Sequence, residues 1–168
     1  MDKLEWIKEL VRAEQQMEES GMVDLSAGFD PDRELKNETV TFINDLKNVF
    51  VESSSAFNQL KASTVGRIKI YGISNTIADF MLFRNGYKMI FTIRAPGQVA
   101  VTFHHMGTTI VPGQNAQING GASLMDEDLL ESCWGAFGDL VWSFKGQVIK
   151  IDYLVRFYLS RFIRDSAK

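Results

Sequence analysis

The chain has 168 residues, 45% of them hydrophobic, and a formal net charge of −3, enough for one well-buried domain and too little for two full ones. A single cysteine, Cys133, excludes an internal disulfide. With neither a charged-then-apolar leader nor an unbroken apolar run of ~18 residues, a cytoplasmic location and no membrane partner are expected.

The charge is unevenly placed. Residues 1–60 hold 13 acidic and 6 basic side chains, whereas residues 61–125 set Asp79 alone against Lys61, Arg67, Lys69, Arg84, Lys88 and Arg94. Residues 126–168 are nearly balanced. The leading segment is acidic and the middle one basic.

Leu4, Ile7, Leu10, Val11 and Met17 recur at helical spacing with Glu5, Glu9, Glu14 and Glu18 around them, which predicts an amphipathic helix over 2–19 that stops at Gly21. The mixed stretch 22–29 reads as a linker. The expected organisation is an independently mobile N-terminal helix, 1–21, and one α+β domain over 30–168. Asp30-Pro31 supplies an N-cap and a proline at the first helical position. A stripe of Leu35, Thr39, Phe42, Leu46, Val49, Ser53, Ala56 and Leu60 follows, suited to a long helix across the apolar face of a sheet and, less favoured, to a seam between subunits. Ser53-Ser54-Ser55 weakens the helix and marks an end or a kink.

From Arg67 to Met106 the pattern is an antiparallel meander. Asn85-Gly86 fits a two-residue type I′ hairpin, which sets Arg84 opposite Tyr87, Leu82 opposite Met89 and Phe80 opposite Phe91. A three-residue loop, Ala95-Pro96-Gly97, brings Val99 to Ile93, Val101 to Phe91 and Phe103 to Met89. Ser74-Asn75-Thr76 joins Ile73 to Ile77 and sends Ile68 and Ile70 to the same apolar face. The turns agree on one core face, and a one-residue slip at any of them buries charge.

Beyond the meander, Thr108–Val111 reads as a fifth short strand closed by Pro112-Gly113, and 114–122 as a loop. Gly120-Gly121 is not a phosphate-binding loop, since no Lys-Ser/Thr pair follows. A helix is expected from Asp126, Glu127 and Asp128 in its first turn to Gly146, its apolar face made by Leu129, Leu130, Cys133, Phe137, Leu140, Val141 and Phe144. The tail predicts a helix over 152–164, with 148–151 open to a strand. The fold class is therefore α+β: a four- to five-stranded antiparallel meander with helices packed on it, in the order ααβββββαα.

No catalytic, metal or cofactor motif stands out, and none is assigned. His104 and His105 are strand neighbours that point to opposite faces and cannot share one metal without a bend. Cys133 on the apolar side of a helix is expected to be buried and inert. The informative surface is the mixed face of the meander, where Arg67, Lys69, Tyr71, Phe83, Lys88, Arg94 and His104 stand with Met81 and Ile90. Bases interleaved with aromatics suit single-stranded nucleic acid, but the acidic chain and the apolar content favour a protein cover, either the acidic N-terminal helix or a partner. A non-enzymatic protein-binding domain is expected, adaptor, chaperone-like or regulatory, that self-associates as a homodimer. The alternative is an apolar-ligand or enzymatic domain with a pocket lined by Phe80, Phe91, Phe103, Trp134 and Phe137.

Overall fold

The computed structural model describes residues 3–106 and 122–167. The chain divides into two compact units, Met1–Asn37 and Glu38–Lys168.

In the first unit, helix α1 (Glu5–Ser20) ends at Gly21, whose left-handed backbone lets its N–H donate to the Met17 carbonyl at 2.9 Å. A turn at 25–28 leads to helix α2 (Pro31–Lys61), capped as its sequence suggests: the Asp30 carboxylate accepts from Arg33 N–H at 3.4 Å and its carbonyl accepts from Glu34 N–H at 2.9 Å. Arg33 returns to Glu9 at 2.8 Å, and Glu9 also accepts from Gly28 N–H at 3.2 Å. No residue of α1 is buried.

The second unit, which holds the rest of α2 from Glu38, is built on a seven-stranded antiparallel meander. Its strands are β1 (Lys69–Gly72), β2 (Phe80–Arg84), β3 (Tyr87–Ala95), β4 (Gln98–Met106), β5 (Ala122–Trp134), β6 (Leu140–Phe144) and β7 (Gln147–Val148), each beside the next; helix α3 (Ile151–Ser166) follows. The β2–β4 register agrees with the turn chemistry. Asn85 and Gly86 both take positive φ, and the pairs Arg84–Tyr87, Leu82–Met89, Phe80–Phe91, Phe91–Val101 and Met89–Phe103 all form.

Two turns differ in detail. Ala95 pairs directly with Gln98, and Arg94 is an extra, bulged residue that restores the frame so that Ile93 still meets Val99. At the first turn Ile73 N–H bonds the Asp79 carbonyl instead of facing Ile77, so β1 is shifted by two residues and Ile70 lies opposite Leu82. A shift of two keeps every side chain on its face, and Ile68 is buried.

The larger correction lies after residue 125. The helix expected from Asp126 to Gly146 is instead β5, β6 and the turn into β7, so the order is ααβββββββα. Lys145-Gly146, both at positive φ, is a second two-residue hairpin turn rather than a helix stop. Acidic residues before apolar ones suit a helix start and a strand equally until a partner is known. Here Asp126 and Asp128 point toward α3, where Arg161 and Tyr158 meet them, so an inward carboxylate is tolerated on a strand. Cys133 accordingly lies on β5 opposite Val141, and is exposed rather than buried. The expected strand at Thr108–Val111, the Pro112-Gly113 turn, the loop over 114–121 and Gly120-Gly121 lie outside the described residues.

Both helices of this unit cover the same face of the sheet. Phe50 packs on Phe80 and Phe91 at ring centroid distances of 6.0 and 5.0 Å, Phe42 stacks on Trp142 at 4.0 Å, and Tyr158 meets Phe91 and Phe103. Each such ring contributes about 1.5–3 kcal/mol by leaving water. The buried stripe of α2 is Thr39, Phe42, Ile43, Leu46, Phe50 and Ser54, while Ala56 and Leu60 are exposed. A strict alternation of threes and fours drifts ~20° per seven residues against the real helix, which moves the contact from Val49 and Ser53 to Phe50 and Ser54. The serine run neither ends nor interrupts α2.

Polar anchors fix the layers. Thr39 Oγ accepts from Gly97 N–H at 2.8 Å, tying α2 to the β3–β4 turn. Buried Arg84 donates to the carbonyls of Gly66 and Ile163 at 2.8 and 3.0 Å and to Ser166 Oγ at 3.2 Å, so the tip of the β2–β3 hairpin neutralises the carbonyl end of α3.

Candidate binding face

Every strand residue in the hydrophobic core points to the side of α2 and α3. The alternate residues make the other, open face, and the register arranges them in rows across the strands. One row runs Lys69–Phe83–Lys88–His104 over β1 to β4; the next runs Tyr71–Met81–Ile90–Thr102–Glu127 over β1 to β5. At the strand spacing of ~4.8 Å, Lys69 and Lys88 stand ~10 Å apart with the Phe83 ring between them.

The expected mixed-face residues are thus brought together, apart from Arg67, which is exposed just before β1. Lys69 and Arg94 are exposed and Tyr71 is 45% exposed, while Phe83, Lys88 and His104 are half-buried. Arg94 forms an ion pair with Glu127. Among the described residues Lys69 and Lys88 have no carboxylate partner.

Sequence reasoning missed the β5 and β6 part of this face, which adds Glu127, Leu129, Glu131, Cys133 and Val141. The usable signal was the second hairpin dipeptide, Lys145-Gly146, which marks a turn between strands. The addition changes the electrostatics: two carboxylates join the cations, and the basic character is confined to the β1–β4 side.

The five aromatics of the alternative pocket are not brought together. Phe80 and Phe91 stack at 4.9 Å inside the core and Phe103 is buried beside them, whereas Trp134 is 41% exposed at the end of β5 and Phe137 is fully exposed between β5 and β6. A groove of about 410 Å³ lies between α2 and α3, lined by Val49, Ser53, Asp152, Val155, Arg156 and Leu159 among others.

A polar cluster joins β5 to α3. Tyr158 donates to Asp128 Oδ2 at 2.8 Å and Arg161 donates to Asp126 Oδ2 at 2.8 Å, with the guanidinium 4.0 Å from the Phe103 ring centroid. The Arg161 hydrogen bond holds the Asp126 carboxyl below the ordinary carboxylate range. Burial, reinforced by Asp128, pushes the Tyr158 hydroxyl well above the usual tyrosine value. Each group is engaged with another, which is the arrangement of a packing network. Among the described residues no three His, Cys, Asp or Glu side chains gather as a metal site requires. His104 and His105 occupy adjacent positions of β4, opposite Lys88 and Tyr87 respectively, and the His105 ring lies 4.2 Å from that of Tyr87.

No protein-family model, curated protein or solved structure matches this chain.

Proposed function

We propose that this chain is a non-enzymatic protein-binding domain, an adaptor, chaperone-like or regulatory protein of the cytoplasm, working through the open face of its sheet. The observation that carries this is the one-sided layering: α3 and the α2 segment from Glu38 cover one face, and the other keeps cations and large apolar groups at its surface. Antiparallel sheets often leave one face to water, but such a face is ordinarily polar. Met81, Phe83 and Ile90 in its middle are the composition of an interface centre, with charges toward the rim.

Single-stranded nucleic acid is the weaker occupant. Glu127 and Glu131 share the face and Glu127 already takes up Arg94, so phosphates would meet carboxylates beside the cations. Among the described residues no helix is long and apolar enough to cross a membrane.

The test is selection from a displayed library of helical peptides, run against the native chain and against Lys69→Ser/Lys88→Ser. Enrichment of acidic amphipathic sequences that bind the native chain and lose the variant is expected. Enrichment indifferent to the variant, or preferential retention of single-stranded oligonucleotides that weakens steeply with salt, would overturn the proposal.

A further inference from the structure

We infer that the occupant of the open face is helix α1 of a second copy of this chain, seated through an apolar stripe that carries Glu14 and Glu18. The inference rests on the open face being a protein-binding surface and names its partner.

The first ground is the helix itself. At 100° per residue, Ile7, Leu10, Val11 and Met17 fall on one side of α1, and Glu14 and Glu18 fall within that same stripe. Leu10, Val11 and Met17 are each 42–50% exposed, and Trp6 beside them is 51% exposed. An amphipathic helix gains its stability by burying such a stripe, and no residue of this one is buried.

The second ground is charge. Off the stripe, Glu5 lies 3.7 Å from Lys8 and 3.8 Å from Arg12 and Glu9 holds Arg33, while Glu19, also off the stripe, forms no ion pair among the described residues. Glu14 and Glu18 form no ion pair among the described residues and are four residues, ~6 Å, apart along the helix. Opposite in sign, Lys69 and Lys88 stand ~10 Å apart on the open face, at register positions on either side of Phe83. Phe83 lies between the two cations, and Leu10, Val11 and Met17 flank the two carboxylates along the stripe, so pairing the charges brings the apolar side of α1 onto the face that carries Phe83, Met81 and Ile90 while each carboxylate gains an ammonium.

The third ground is size. A 16-residue helix is ~24 Å long and, with its carboxylates along the Lys69–Lys88 row, lies across the strands, where seven strands at ~4.8 Å spacing span ~29 Å, so the helix fits within the face. Two copies that exchange helices make the contact twice about a twofold axis, closing the assembly at a dimer.

Sedimentation of the full chain, paired with carbodiimide cross-linking of a mixture of ¹⁵N-labelled and unlabelled protein, tests this. A dimer is expected, with mixed-label cross-links from Glu14 or Glu18 to Lys69 or Lys88. Lys69→Glu/Lys88→Glu and Glu14→Lys/Glu18→Lys should each raise the dimer Kd by ~tenfold or more, and their combination should return it to within ~threefold of the native value. The α1 reversals place cations near its carbonyl end, so circular dichroism should show the helix retained. A strict monomer, same-label cross-links only, or a dimer indifferent to both reversals would overturn the inference. The peptide selection reports separately, and acidic helices captured on Lys69 and Lys88 by a monomeric chain would leave the binding face standing without its self-partner.

Discussion

The two faces of the sheet are made by alternate residues of the same strands, yet they handle charge in opposite ways. On the covered face, Arg84 is buried and its guanidinium donates to two carbonyls and a hydroxyl. On the open face Lys69 and Lys88 keep their charge available beside hydrophobic groups that no core element covers. A charge used for folding is thus recognisable by its completed hydrogen bonds, and one available for binding by the lack of them.

Truncation separates the faces most sharply at neighbouring residues of β3. Phe91→Ala removes a fully buried ring touching Phe50, Phe80 and Tyr158, and is expected to cost about 3–5 kcal/mol in chemical denaturation. Ile90→Ala, one residue away on the half-buried side, should cost about 1 kcal/mol. Equal losses would mean that the open face is packed within the isolated chain.

Charge neutralisation comes next in size. Arg84→Met removes the guanidinium that lies over Phe57 and leaves the Gly66 and Ile163 carbonyls without their donor, an expected loss of about 2–3 kcal/mol by the same measurement. Lys88→Met should change stability by no more than about 0.5 kcal/mol while weakening association. A Lys88→Met loss matching that of Arg84→Met would mean that Lys88 serves the fold.

How far the sequence led depended on whether the deciding contact was local. The β2–β4 register followed from Asn85-Gly86 and Gly97, because turn chemistry and the two-residue side-chain period are properties of a few adjacent residues. The mixed face from Lys69 to His104 followed from the same register. Residues 126–144 failed because Asp126 and Asp128 face inward, and only Tyr158 and Arg161, about thirty residues away, make that acceptable. The α2 stripe held at Thr39, Phe42 and Leu46 and slipped by one residue beyond them for a geometric reason, the difference between 3.5 and 3.6 residues per turn. The acid stripe of α1 was present in the spacing, but that Glu5 and Glu9 are paired while Glu14 and Glu18 are not needed coordinates.

The β5–α3 cluster gives the covered face a pH signature. Asp126 titrates below its ordinary value, so its contribution to stability is complete above ~pH 4 and is lost as pH falls through the lowered folded value. Tyr158 is shifted upward, so its contribution is complete below ~pH 10 and is lost as pH rises toward the raised folded value. Asp126→Asn should flatten the acid limb of a plot of denaturation midpoint against pH, and Tyr158→Phe the alkaline limb. An acid limb unchanged in Asp126→Asn would place its origin in other carboxylates.

The smallest expected effect has the opposite sign. Ser54 is buried on the covered side of α2, and its hydroxyl has no hydrogen-bond partner among the described residues, a desolvation cost on the face where every other buried side-chain polar group is satisfied. Ser54→Ala removes the stranded hydroxyl and improves helix propensity, so stability should rise by about 1 kcal/mol. Ser55→Ala, one residue along and exposed, gains only the propensity difference, about 0.5 kcal/mol at most. The difference between the two variants isolates the cost of the buried hydroxyl. Equal gains would show that Ser54 finds a partner in solution, and that the covered face tolerates no unmet polar group at all.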